Sequence, residues 1–278
     1  MSESILPSSF REDAAALMRA AGQIMLNAHR AGHDGEDALG IREKDDQETH
    51  VNFVTAYDSR VQTFLTDGLS GLLPEAGFLA EEDGASTGDT EHGFCFVIDP
   101  IDGTCNFIHD YRRSAISVGL LYDGEPVFGA ILDPYLDELF IAEKGRGAFV
   151  NDHPIHVSDR TLDRSVIGIG TSPYYKERFG DYTVEVFRRL LSHASDVRRS
   201  GSAAIDFASL ASGRIDGFIE ALLSPWDYCA GAVLVTEAGG IVTRIDGSPI
   251  RFDHPVSILA GTTANFDALK KLAHTDVQ

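Results

Sequence analysis

Two aspartates three residues apart, Asp99 and Asp102, follow directly on the apolar run Phe94-Cys95-Phe96-Val97-Ile98, in the segment Asp99-Pro100-Ile101-Asp102-Gly103-Thr104-Cys105-Asn106-Phe107. The apolar run reads as a strand, so the carboxylates fall where it leaves the core. In open α/β sheets this is the crevice where ligands bind, and Gly103-Thr104 brings backbone N–H groups close to any anion there. Clustered carboxylates repel one another unless a cation neutralises them. Oxygen-only ligation suits Mg²⁺ held by a few carboxylates together with a substrate phosphate. Taken alone, the segment is equally well explained by an Asp-Gly turn and a solvated strand end.

Two further acidic corners favour the cation. Glu81-Glu82-Asp83 follows the apolar approach Gly77-Phe78-Leu79-Ala80, and Trp226-Asp227-Tyr228-Cys229-Ala230-Gly231 opens a small and apolar stretch closed by Ala238-Gly239-Gly240. With these, the segments Val54-Thr55-Ala56-Tyr57-Asp58, Glu81-Glu82, Asp99 to Thr104, Gly201-Ser202-Ala203-Ala204 and Trp226-Asp227 with Ala230-Gly231 stand in family order. Over most of its length the chain resembles the inositol monophosphatase family of metal-dependent sugar-phosphate phosphatases. Ala80 stands where that family usually has Gly, and Cys105 where it often has Thr. Neither replaces a ligand that the resemblance implies, so the departures bear on fine geometry.

The resemblance implies an α/β fold, an αβαβα five-layer sandwich of the inositol monophosphatase and fructose-1,6-bisphosphatase type. It implies two Mg²⁺ ions, the first held by Glu81, Asp99 and the Ile101 carbonyl, the second by Asp102, Asp227 and a bridging Asp99. Metal pairs of this kind sit roughly 4 Å apart. A weaker third site would lie near Lys44, although the spacing from Lys44 to Asp58 is longer than usual and a solvated charge run explains Lys44 as well. Thr104, hydrogen-bonded to Asp58, would aim with Glu81 the attacking water. Asp102, Gly103 and Thr104 would meet the phosphate, and Gly201, Ser202, Ala203 and Glu220 the leaving alcohol. Plainer roles stay open at three positions: Asp227 as the N-cap of a helix beginning there, Asp58 in a capping box with Thr55, and Glu220 as a solvated strand end. Glu82 reads as a solvated acid or one behind the ligands.

The first substrate to try is myo-inositol 1-phosphate, favoured by Asn106-Phe107 with Glu220. Histidinol phosphate, fructose 1,6-bisphosphate, 3′-phosphoadenosine 5′-phosphate and NADP are acted on by related members with the same metal motifs. Lithium sensitivity and a homodimer are further expectations. A competing reading is a protein-binding factor in transcription or RNA processing, as some bacterial members are.

The 278 residues, 43% of them hydrophobic, suffice for a packed core. Without a linker the chain reads as one domain, 1–278, with halves of about 1–150 and 151–278 and the site in their cleft. A net charge of −20 argues against direct binding of nucleic acid or an anionic membrane. It does not argue against an anionic substrate, because bound ions become the largest local charges. No apolar run nears the roughly 18 residues of a membrane span, and the N-terminus lacks a signal-peptide pattern, so the expected location is cytoplasmic. The three cysteines, Cys95, Cys105 and Cys229, lack CxxC spacing and read as reduced thiols. All three flank the proposed metal segments, which leaves open both packing and sensitivity to oxidants.

The positioning elements follow from periodicity. A helix starts at Ser9, where Ser9 and Glu12 form a capping-box pattern, and ends near Gly32. Residues 32–52 read as a loop or short hairpin, followed by a helix from Thr55 to about Leu73. Strands follow over 94–98, 116–122, 127–133, 138–143 and 148–150. The second half alternates: strand 165–170, helix 176–192, strand 196–199, helix 202–212, strand 215–220, helix 227–238, strands 241–245 and 257–260, and helix 263–273. Such alternation implies layered helices and sheets.

Overall fold

A computed structural model describes residues 5–31, 39–43, 53–82 and 88–274. Helices α1 (Phe10–Ala31) and α2 (Ala56–Leu72) pack together as the outermost layer. Each buries one stripe at helical spacing, Phe10, Ala14, Met18, Ala21 and Met25 on α1 and Val61, Leu65 and Leu69 on α2. Between them lies the hairpin of β1 (Arg42–Glu43) and β2 (Phe53–Val54). Lys44 falls outside the described residues.

The second layer is a seven-stranded sheet in sequence order: β3 (Gly77–Ala80), β4 (Phe94–Asp102), β5 (Ala115–Tyr122), β6 (Glu125–Asp133), β7 (Glu138–Glu143), β8 (Ala148–Val150) and β9 (His153–Ile155). Only β3 and β4 run parallel; the rest is an antiparallel meander. Its other face is covered by α5 (Ala203–Ala211) and α6 (Pro225–Glu237). Beyond them lies a five-stranded sheet in the order β11 (Asp196–Arg198), β10 (Val166–Ile169), β12 (Gly217–Leu223), β14 (Val256–Gly261), β13 (Ile241–Thr243). Helices α4 (Lys176–His193) and α7 (Phe266–Ala273) close the outer face. The order of layers is therefore αβαβα, and three separate apolar clusters fill the spaces around the sheets.

Helix α6 is buried almost all round, from Tyr228 through Val235, as a helix between two sheets must be. It reaches that position because two strand residues beneath it have no side chain. A Cβ at Gly129 of β6 would collide with the Ala230 carbonyl oxygen and lie 3.0 Å from Ala230 Cα, and one at Gly119 of β5 would lie 2.9 Å from Cys229 Cβ.

Several boundaries differ from the sequence expectation. Strand β3 adds a parallel edge to the first sheet, β9 extends the meander, and β12 runs on to Leu223. Strand β13 stops at Thr243, where the Asp246-Gly247 turn takes the chain back with Arg244 N–H bonded to Ser248 O at 2.9 Å. Helix α7 starts only at Phe266, because Asn265 Oδ1 ties back to Thr262 N–H at 3.1 Å.

Candidate active site

Residues three apart on a regular strand face opposite sides of the sheet. Asp99 and Asp102 do not, because β4 is bulged between them: Asp99 pairs with Ser117 and Asp102 with Ala115, three steps on one strand against two on the other. Pro100, with no N–H to give the ladder, lies inside the bulge. Asp99 Oδ1 accepts the Ile101 N–H at 3.0 Å. Gly103 then turns with φ 85°, and a Cβ there would lie 3.0 Å from Arg113 O and 3.1 Å from Gly201 O. Only glycine lets the short helix α3 (Thr104–Ile108) start this close to the second half of the chain.

Asp227 is not the cap of α6, which corrects one sequence reading. The Ser224-Pro225 pair starts the helix earlier, with Ser224 as N-cap and proline in the first turn, so Asp227 is the N3 residue of a capping box. Its Oδ2 accepts the Ser224 N–H at 2.7 Å. Asp102 links the halves: its Oδ2 accepts from Ser202 Oγ at 2.5 Å and from the Ala204 N–H at 2.6 Å. Glu81 follows β3, where its N–H donates to Ile98 O at 3.1 Å, and its side chain is in hydrogen-bond contact with Asp99.

Carboxylate oxygens of Asp99, Asp102 and Asp227 lie within 4.8 Å of one another. Burial and the charges of Glu81, Asp102 and Asp227 hold Asp99 well above the usual carboxylate range. Burial, then Asp102 and Glu81, do the same to Asp227. Burial pushes Asp102 up to about 6 despite the donors Ser202 and Ala204. Among the described residues no Lys, Arg or His forms an ion pair with these three aspartates. Buried carboxylates without cationic side chains are costly. All-oxygen donors at this spacing fit a hard divalent cation.

Thr104 Oγ1 has one proton and two acceptors, Ile101 O at 3.1 Å and Asp58 Oδ1 at 3.4 Å. Asp58 is fully buried, and its Oδ2 accepts from Thr55 N at 2.8 Å and Thr55 Oγ1 at 2.5 Å. The capping box and the approach to Thr104 thus coexist in one side chain. Burial raises Asp58 to about 7 against the donors of Thr55.

Glu220 is no solvated strand end: it lies inside β12 and is only 7% exposed. Its Oε1 accepts the Ser172 N–H at 2.8 Å, and its carboxylate packs where a side chain at Gly170 would be. Burial pushes it up to about 7. Gly201, at φ 87°, Ser202, the N-cap of α5, and Ala203 stand beside it in a cleft of about 450 Å³ that also takes in Glu81, Asp99, Ile101, Asp102, Gly103, Thr104 and Asp227. Asn106 and Phe107 do not line this cleft. Asn106 Nδ2 ties Arg113 O to Ser200 O, at 2.6 and 3.0 Å, and Phe107 is in the core, so neither selects a substrate directly. Cys105 is exposed at the cleft, whereas Cys95 and Cys229 are buried, with burial pushing Cys95 up to about 11.

Sequence reasoning missed Ser172, Tyr174, Arg199 and Asp206, all of which line the cleft. The Ser172-Pro173 pair is a turn signal, and Ser172 does turn, with φ 39°. No sequence pattern places Tyr174 near the acids, yet burial, then Glu81, Asp227 and Asp99, raise its phenol.

A five-layer α/β sandwich that gathers buried carboxylates and a threonine at the edge between its sheets defines a class of cation-dependent enzymes of phosphate esters. The chain belongs to the inositol monophosphatase family, whose model matches residues 7–277. It is 40% identical over 222 residues to the inositol-1-monophosphatase of Mesorhizobium japonicum, covering 79% of this chain and 82% of that protein. It is 37% identical over 237 residues to the Nus factor SuhB of Pseudomonas aeruginosa, covering 84% and 85%. The crystal structure of the extragenic suppressor protein suhB from Bartonella henselae superposes with a TM-score of 0.86 at 32% identity, covering 97% of this chain and 100% of that one. The inositol monophosphatase of Anabaena gives 0.80 at 33% identity, covering 95% and 94%.

Proposed function

We propose that this protein hydrolyses a small polyol phosphate monoester with Mg²⁺, myo-inositol 1-phosphate being the first substrate to test. The carrying observation is the convergence of Asp99, Asp102 and Asp227 within 4.8 Å, with no cationic side chain paired to them among the described residues. In this reading Glu81, Asp99 and the Ile101 carbonyl would hold one ion, and Asp99, Asp102 and Asp227 the other, and Mg²⁺ bound there would supply neutralisation of phosphate charge and a more acidic water. Thr104, donating its proton to Asp58, keeps an oxygen lone pair free to orient the attacking water together with Glu81. The N–H groups of Gly103 and Thr104 receive phosphate oxygens, while Gly201, Ser202, Ala203 and Glu220 receive the alcohol. One domain with its site between two halves, a homodimer, lithium sensitivity and a cytoplasmic location belong to the same proposal.

Phosphate release should be measured for inositol 1-phosphate, histidinol phosphate, fructose 1,6-bisphosphate, 3′-phosphoadenosine 5′-phosphate and NADP, with and without Mg²⁺. Turnover of at least one ester that vanishes on chelation is expected; no release from any at saturating Mg²⁺ removes the proposal. A second reading, a protein-binding factor in transcription or RNA processing, is favoured by the similarity to proteins named Nus factor SuhB. Co-sedimentation of the purified chain with RNA polymerase tests it, and absence of a complex at micromolar concentrations counts against it.

A further inference from the structure

Asp206, in the first turn of α5, lines the acidic cleft at 4% exposure, and the chemistry proposed above gives it no part. Its Oδ2 accepts from Ser200 Oγ at 2.8 Å. Its Oδ1 accepts no hydrogen bond among the described residues, and a buried carboxylate oxygen without a donor is unfavourable. A ligand in the cleft can supply that donor. Two glycines make room for this acid and for Glu220. Gly168 in β10 and Gly170 just beyond it are two residues apart and so face one side, Gly170 N–H still bonding Ile219 O at 2.9 Å. A Cβ at Gly168 would lie 3.4 Å from the Asp206 carboxyl carbon and 3.0 Å from Ile215 Cδ1, and one at Gly170 would overlap the Glu220 carboxylate. The two acids therefore stand over neighbouring bare positions of one strand, roughly 7 Å apart along it. The charge of Glu220 acts on Asp206 more than that of Asp102 does.

Burial holds Asp206 well above the usual carboxylate range and pushes Glu220 up to about 7, while the Arg199 guanidinium tempers both without an ion pair to either among the described residues. Near neutral pH the two acids thus keep protons as well as lone pairs. A hydroxyl, which both donates and accepts, meets both, whereas an ammonium only donates. We propose that Asp206 is a specificity-determining residue that receives a second hydroxyl of the leaving alcohol beside the one received by Glu220, so that esters of polyols are preferred to esters of simple alcohols. This rests on the phosphatase reading above and adds a residue to its alcohol side.

The test compares two esters that share a six-membered ring and differ in hydroxyls, myo-inositol 1-phosphate and cyclohexyl phosphate, with magnesium-loaded enzyme. The quantity read is the ratio of their kcat/KM values. In the wild type the ratio should stand well above one, and Asp206→Asn, which keeps the shape of the side chain and an acceptor for Ser200, should lower it by about tenfold through loss of one charge-assisted hydrogen bond. The change should fall mainly on KM. If Asp206→Asn fails to fold, the smaller Asp206→Ser takes its place with the same expectation. A wild-type ratio near or below one overturns the proposal. So does a ratio unchanged in the variant, because an equal loss on both esters means that Asp206 only steadies the start of α5 through Ser200. If no ester is hydrolysed the phosphatase reading falls separately. Calorimetric titration with myo-inositol itself, in the presence of Mg²⁺ and inorganic phosphate, then decides the role of Asp206: binding about tenfold weaker in Asp206→Asn than in wild type supports it, and equal binding or none overturns it.

Discussion

Asp99, Asp102 and Asp227 carry charges that oppose one another in the absence of cations, so each has opposite effects on activity and on the stability of the metal-free protein. Asp99→Asn and Asp227→Asn should each lower kcat at limiting Mg²⁺ by at least about 100-fold. In chelator the same variants should melt no lower than wild type, because a like-charge repulsion has been removed; kcat and thermal midpoint are measured on the same preparations. Full activity in either variant would remove that residue from the site. Glu220 gives a pH signature. Its native value of about 7 lies above the unfolded 4.5, so between these values the native state keeps a proton that the unfolded chain has lost. Stability therefore falls as pH rises through this window, by up to about 3 kcal/mol once pH exceeds 7. Glu220→Gln removes the titration, so its advantage in thermal midpoint over wild type should be small at pH 4.5 and grow up to pH 8; a constant difference would refute this. At this scale the acids were legible because types and spacing are written in the chain. Glu220's burial was not, since it depends on Ser172 and Gly170, some fifty residues away, which fold over it.

The elements explain why spacing alone understates the site. A bulge in β4 turns Asp99 and Asp102 to one side, and Pro100 was its only local mark. The helix and strand pattern was readable from periodicity. The boundaries that moved were those set by caps and turns, such as Ser224-Pro225 ahead of Asp227. Gly119 and Gly129 were visible as glycines in strands, but the helix that needs their bare backbone lies a hundred residues further on. Gly129→Ala should cost about 1–3 kcal/mol by overpacking, lowering the thermal midpoint by roughly 2–4 °C per kcal/mol. Because α6 carries Asp227, the variant should also lose Mg²⁺ affinity at temperatures where it remains folded, read from the Mg²⁺ dependence of kcat. Unchanged Mg²⁺ dependence would mean that the sheet yields rather than the helix.

For the whole molecule, composition indicated a packed core and a strong acidic excess, while the pairing of two sheets around α5 and α6 could be reached only through the family resemblance. The acids proposed to hold the ions come from the residue after β3, from β4 and from α6. Mg²⁺ should accordingly raise the thermal midpoint, with a gain of about 2.7 kcal/mol at a hundredfold excess over Kd. Sodium chloride at equal ionic strength should give much less; equal shifts would mean general screening. The enclosure of α6 has a further consequence, for synthesis. The inner face of the first sheet, with Val97, Leu121 and Ile131, shares its apolar cluster with Phe207, Tyr228 and Val233. Those covering residues leave the ribosome only after the sheet is complete, on the order of ten seconds later at ordinary elongation rates. During that interval a finished sheet presents a greasy, glycine-notched face with nothing upon it, making the nascent chain a client for holding chaperones until its own second half arrives.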